Sequence, residues 1–300
     1  MSYPTSGTVT AGSVALASAY NNLRSDMMNN YYPACGRLSA GDGTAVTASD
    51  ISDATSIYYV PFNGDKIALY ESTGVDTHDW VIRKFTGATL DISGYGTSIP
   101  YDVFAYSNAG VVTLTGVKWT NSTTRATALT TQNGVYVLTG DTSRRFLGAI
   151  YCDGGGGHTQ DNYTQRSIGN YYNAVEKQLK VYQSSVHTYN GEERLWNGTI
   201  AYNYLGYINP CPYPRVMTLG LITRQKAGTA GSYAITRIWA DGSNMSPLVQ
   251  IWNSNTESIT AGAMFDFWLL PGYHYANIAE TSNHDDSSFV EMVLHGSIWV

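Results

Sequence analysis

Charged side chains are scarce in this chain: Asp, Glu, Lys and Arg make up 13% of its 300 residues, about half the share usual in globular proteins. The formal net charge is −6 at pH 7, and the densest basic spot is the lone pair Arg144-Arg145. A surface that neutralises phosphates needs clustered cations, so this distribution excludes nucleic acid as a partner. Long apolar runs are missing too. No stretch reaches the roughly 18 apolar residues of a membrane-spanning helix, so no membrane insertion is expected. The first residues also lack the basic-then-apolar order of a secretory leader. Cysteine is nearly absent. Cys35, Cys152 and Cys211 lie far apart with no metal-ligand spacing, and an odd count predicts free thiols or at most one bridge.

Tyrosine and glycine, 24 and 30 residues, fill the gap together with Ser, Thr and Asn. Tyr and Thr suit half-buried pleated surfaces, and Gly and Asn supply turns. The composition therefore predicts β structure under a neutral polar exterior. That combination fits a secreted protein, a virion part or a lectin better than a cytosolic enzyme.

Along the chain, Ser18 reads as an N-cap before "AYNNLRSDMMNN", and Leu16, Tyr20, Leu23 and Met27 recur on one helical face. The stripe suits either a short coiled-coil seam or a terminal helix packed on its own domain. Tyr31-Tyr32-Pro33 ends it. Residues 39–56 read as a linker or loop. Two strands then flank Asn63-Gly64 in "IYYVPFNGDKIALYES", a hairpin signal. "DWVIRKF", "YDVFAYS", "VVTLTGVKW", "GVYVLTG" and "RRFLGAIYC" continue the strand series. In "SIGNYYNAVEKQLKVY", Ile168, Tyr171, Tyr172, Val175 and Leu179 fall at helical spacing, predicting a helix over 168–180. Strand signals resume in "TIAYNYLGYI", "VMTLGLITR", "SYAITRIWA", "LVQIWNS", "AMFDFWLL" and "FVEMVLHGSIWV". The fold expected is mainly β: a short N-terminal helix, a β-rich middle domain with one helix, and a C-terminal jelly-roll-like β-sandwich. The expected divisions are 1–56, 57–183 and 184–300.

Several stretches, in order, resemble a family of tailed-phage virion structural proteins, the tail, tail-fibre and head-fibre proteins. They are "LASAYNNLRSD" at 16–26, "YVPFNGDKIALY" at 59–70, "YDVFAY" at 101–106 and "VKWTNSTTRATALTTQNGVYVLTGDTSRRFLGAI" at 117–150. "NYYNAVEKQL" at 170–179 and the terminal "LLPGYHYANIAETSNHDDSSFVEMVLHGSIWV" continue the likeness. The chain departs from the family at Asn133-Gly134, where Asp-Gly is common, and in its glycine tract. The resemblance implies a virion location and an attachment role, with no catalytic residues to carry over. A part assembled in the host cytoplasm and released by lysis also accounts for scarce thiols beneath an extracellular-like surface.

The glycines at 154–157 precede His158-Thr159-Gln160-Asp161. A phosphate loop needs Lys and Ser/Thr directly after its last glycine, so the tract reads as an excursion between a strand and the expected helix. If that loop is exposed, Gly154, Gly157 and His158 are candidate contacts to a receptor or neighbouring subunit. Glu192-Glu193 point apart on a strand, and His284-Asp285-Asp286 supplies too few ligands for a cation site. Asp266, Glu280 and Glu291 are the carboxylates left for a glycosidase pair, and nothing in the sequence selects two of them. No catalytic residue, metal or cofactor is assigned. Aromatics concentrate in the C-terminal half, where "FDFWLL" reads as core and subunit-interface packing. Tyr202, Tyr204, Tyr207 and Tyr213 are the candidate receptor contacts, Tyr213 within the proline-pinned loop Pro210–Pro214. The expected protein is a homo-oligomer, a trimer foremost, held to other head or tail proteins through residues 1–32. It would bind a host glycan or protein multivalently. A capsid decoration protein without a receptor and a glycan-cleaving virion enzyme stand as alternatives.

Overall fold

The computed structural model describes residues 32–74, 77–153, 156–199, 204–229, 231–244, 248–252 and 257–300. The expected N-terminal helix, with Leu16, Tyr20, Leu23 and Met27, lies outside them. Strands dominate the described residues, whose one helical element is the 3-10 turn Trp196–Gly198.

In the C-terminal half two sheets pack face to face. A five-stranded sheet runs in the order Glu176–Gln183, Ser288–Trp299, Arg215–Lys226 and Ile259–Leu269, with His187–Thr188 added beside Ser288–Trp299. Its partner is a nine-stranded sheet centred on Gly272–Ser282, which pairs with Tyr204–Asn209 on one side and Tyr233–Ala240 on the other. Alternation fixes which side chains meet. Met217, Leu219 and Leu221 point inward from Arg215–Lys226, while Val216 and Ile222 stay exposed. Leu205, Tyr207, Phe267, Ile278, Phe289 and Leu294 complete the core between the sheets, each fully buried apolar side chain contributing about 1.5–3 kcal/mol.

The N-terminal half holds three further sheets. One joins Gly36–Ser39, Ser56–Pro61 and Ala88–Asp91; another pairs Lys66–Gly74 with Thr77–Lys84. The largest is built around Asp141–Cys152, between Ile99–Asn108 and Val135–Leu138. Leu38, Ile57, Leu69, Val103, Leu147 and Ile150 form the core that the three sheets share. The two halves are sewn together. Ile51–Ala54, Thr159–Asp161 and Gln165–Arg166 all join the nine-stranded sheet of the C-terminal half. A small cluster of Trp119, Ala149, Tyr151, Ile208 and Tyr273 fills the seam.

Three sequence expectations need correction. The helix over 168–180 is absent: Ile168–Asn170 and Glu176–Gln183 are strands, separated by a turn in which Asn173 takes φ 54°. Within "EKQLKVYQ" the buried residues are Lys177, Leu179 and Val181, a period of two. Pairing with the Ser288–Trp299 strand over eight residues outweighs the local helical spacing, and it carries the chain into the C-terminal sheet before residue 184. Asn63-Gly64 does not close a hairpin either. The strands on its two sides belong to different sheets, and the Cys35 carbonyl accepts from Phe62 N at 3.0 Å and Asn63 N at 2.9 Å. The supposed linker at 39–56 contains the Ile51–Ala54 strand and begins at the end of the fully buried strand Gly36–Ser39.

Candidate functional site

Antiparallel pairing sets Gly206 opposite Tyr275 and Ile208 opposite Tyr273. Alternation then places Tyr204, Gly206, Tyr273 and Tyr275 on one face of the nine-stranded sheet, and Tyr207 and His274 on the core face. On the first face lies an open hollow of about 470 Å³, lined by Ser122, Thr123, Tyr151, Tyr204, Asp241, Tyr273 and Tyr275. Gly206 makes it possible. A Cβ there would collide with Tyr273 Oη and lie 3.0 Å from Tyr204 Cε1, so the missing side chain lets the two tyrosines approach. Their hydroxyls are hydrogen bonded to each other. Tyr151 lies flat on Tyr273, and the Tyr204 and Tyr275 rings stand 5.8 Å apart at 29°.

Asp241 reaches the rim through a two-residue hairpin. Ala240 pairs with Ser243, and Asp241 and Gly242 both take positive φ, 50° and 76°, as a type I′ turn requires. Tyr275 N donates to Asp241 Oδ1 at 3.0 Å, and His274 Nδ1 lies 2.7 Å from Oδ2. The carboxylate is thus fixed in direction while its side chain remains 49% exposed. From the N-terminal half, Ser122 accepts from Tyr273 N at 2.8 Å, and Asn121 Oδ1 caps the turn at Thr123 N at 2.9 Å. Burial raises the Tyr204 phenol above its ordinary range, with Tyr151, Asp153, Tyr275 and Asp241 adding to the rise, so it stays protonated at neutral pH. Among the described residues no Lys or Arg lines the hollow.

A second surface is the outer face of the five-stranded sheet. Trp268 and Met264 are 75% and 71% exposed, and Val216, Ile222 and Trp299 lie exposed on the same face. Met264 sits opposite Gly220, whose vacant side-chain position is covered by the His295 ring.

Comparison with known proteins assigns no family. No family model matches the chain, and no curated protein matches it. A family 35 carbohydrate-binding module from Clostridium thermocellum is 16% identical, covering 40% of this chain and 96% of the module, with a TM-score of 0.20. The insecticidal delta-endotoxin Cry8Ea1 from Bacillus thuringiensis is 8% identical over 88% of this chain and 51% of its own, with a TM-score of 0.26. The VP2 subviral particle of infectious bursal disease virus is 12% identical over 84% and 70%, with a TM-score of 0.30. Likenesses this slight carry no functional assignment.

Of the residues singled out in the sequence, Tyr204 lines the hollow and Tyr213 is 47% exposed. Tyr207 is a correction: it is wholly buried in the sandwich core, because its odd offset from Tyr204 turns it to the other face. Tyr202 and Gly154 lie outside the described residues. Gly157 is also a correction, being packed against the backbone of Ile92 and Ser93 rather than exposed, with φ 59°. His158 bridges back to Asp153, whose N donates to its carbonyl at 2.9 Å, so the two residues that flank the glycine tract are paired. Glu280 is fully buried and held by Arg194 Nε at 2.9 Å, Asn197 N at 3.1 Å and His187 Nε2 at 2.6 Å. The sequence reading missed Asp241, although Asp241-Gly242 after "SYAITRIWA" carries a plain hairpin signal.

Proposed function

We propose that this chain is a structural protein of a tailed-phage virion, anchored through residues 1–32, that attaches to the host surface by repeated weak binding. The sequence resemblance supports the virion location. The observation that carries the binding role is the tyrosine-lined hollow: side chains from three strands, a hairpin and a loop converge on one open concavity. A site built on paired strands spends little ordering entropy when it captures a ligand. The exposed Trp268, Met264 and Val216 face supports assembly of copies into a homo-oligomer, a trimer foremost, since an apolar patch of this kind marks an interaction surface. Three copies of a weak site raise apparent affinity by about two to four orders of magnitude.

The same outer face favours a second reading, a capsid decoration protein that docks to other virion proteins and touches no receptor. Binding of the purified protein to host cells separates the two. Saturable cell binding together with an oligomer in sedimentation is the expected result. A monomer that binds no cells but decorates receptor-free capsids would instead establish the decoration role.

A further inference from the structure

The geometry points to the hollow between Ser122 and Tyr275 as a binding site for an uncharged pyranose of a glycan. This deepens the attachment reading above and rests on it. The volume, about 470 Å³, lies within the range of small-molecule sites, about 300–1,000 Å³. Its walls match the two-sided character of a sugar ring. The half-buried Tyr204 and Tyr275 rings offer aromatic carbon to the apolar C–H face, and phenol tips to the hydroxyl rim. Ser122 and Thr123 complete the lining as polar residues.

Charge decides the ligand class. Asp241 is aimed by Tyr275 N and His274 Nδ1, yet an ionised carboxylate has about four acceptor sites and these two leave others open toward the hollow's rim. Such an acceptor takes hydroxyl or N-acetyl donors. Among the described lining residues there is no Lys or Arg to meet a sugar carboxylate, so a uronic or sialic acid would give up hydration on entering the hollow without gaining an ion pair. Hexoses and N-acetylhexosamines fit; acidic sugars do not. The site also needs both halves of the chain, because the Ser122 carbonyl receives Tyr273 N.

The test uses the full chain, titrated by calorimetry and saturation-transfer NMR. The probes are methyl glucoside, galactoside and mannoside, the two common N-acetylhexosamines, glucuronic acid and N-acetylneuraminic acid. At least one uncharged sugar should bind, and neither acid should. Tyr275→Ala should weaken binding about tenfold, the loss of one good stacking contact. Asp241→Asn retains the turn, since Asn-Gly also favours type I′; it replaces a carboxylate acceptor by an amide and should weaken the neutral sugar. Three results would overturn the assignment: no uncharged sugar binds, Tyr275→Ala leaves the affinity unchanged, or the wild type takes glucuronic acid equally well. Host-cell binding that survives Tyr275→Ala would sink the sugar site and spare attachment. Sugar binding without any cell binding would do the reverse.

Discussion

Tyr151 and Tyr273 lie face to face, ring centroids 3.4 Å apart and planes within 4°, and they come from opposite halves of the molecule. Tyr151 ends the Asp141–Cys152 strand of the N-terminal sheet, and Tyr273 begins the central strand of the C-terminal sandwich. Both are buried, with Trp119, Ala149 and Ile208 packed around them. The stack is therefore a mechanical joint between the halves and also the floor of the hollow.

Tyr151→Ala removes a buried ring whose partner cannot follow it, which costs about 3 kcal/mol or more. We expect differential scanning calorimetry to show a lower melting temperature and a transition that broadens or splits as the halves uncouple. An unchanged single transition would show that the joint carries no coupling.

Gly206→Ala tests the hollow from beneath. The added methyl meets Tyr273 Oη and Tyr204 Cε1, and overpacking of this kind costs about 1–3 kcal/mol. Because Tyr273 is pinned under Tyr151, Tyr204 is the ring that must move. Ligand affinity should fall more steeply than stability. Chemical denaturation and ligand titration on the same sample give both values.

The parts of this architecture visible in the sequence are those where one face of a strand is solvated. "VMTLGLITR" and "FVEMVLHGSIWV" alternate, and both are long strands of the five-stranded sheet. The central strand Gly272–Ser282 gave no such signal. It is buried along nearly its whole length, so polar and apolar residues cease to alternate, and Pro271-Gly272 at its start imitates a turn. Asn277 and Glu280 sit buried within it, and Glu280 is held by His187, Arg194 and Asn197, all distant in sequence. The hollow was half visible: Tyr204 stood out as an aromatic, but its neighbours Tyr151, Ser122 and Asp241 reach it only through tertiary pairing. Period two alone separates Tyr204 from Tyr207.

Stability should depend on pH through His187. Burial alone lowers its pKa, but hydrogen bonds to Glu280 and the Ser185 carbonyl outweigh it, so the folded value lies above the ordinary one. A raised folded pKa contributes stability that is fully present below the unfolded value of about 6.5 and is lost as pH rises through the folded value. Asp102 acts in a lower window. Burial against the pull of Arg125 pushes it up to about 6, so its contribution is lost between the unfolded carboxylate value of about 3.9 and that point. Urea midpoints measured from pH 4 to 8 should decline in both windows. His187→Gln should flatten the upper window and leave the lower intact; a slope that persists above pH 6.5 assigns it elsewhere.

The outer face of the five-stranded sheet gives the last prediction. Trp268 is 75% exposed beside Val216, and Met264 71% exposed above Gly220. Because neither side chain contributes much to the subunit's own core, Trp268→Ala should change its stability by no more than about 0.5 kcal/mol. A ring left in water by the isolated subunit gains most when a second surface covers it, and aromatic anchors dominate such contacts. Sedimentation velocity of Trp268→Ala and Met264→Lys should therefore show a dissociated or weakened oligomer while the thermal transition of the subunit holds. Sugar binding, on the opposite sheet of the sandwich, should be preserved per subunit, and cell binding should fall with the loss of multivalency. If both variants assemble like the wild type, this face is no subunit contact, and the oligomer must be built through another surface.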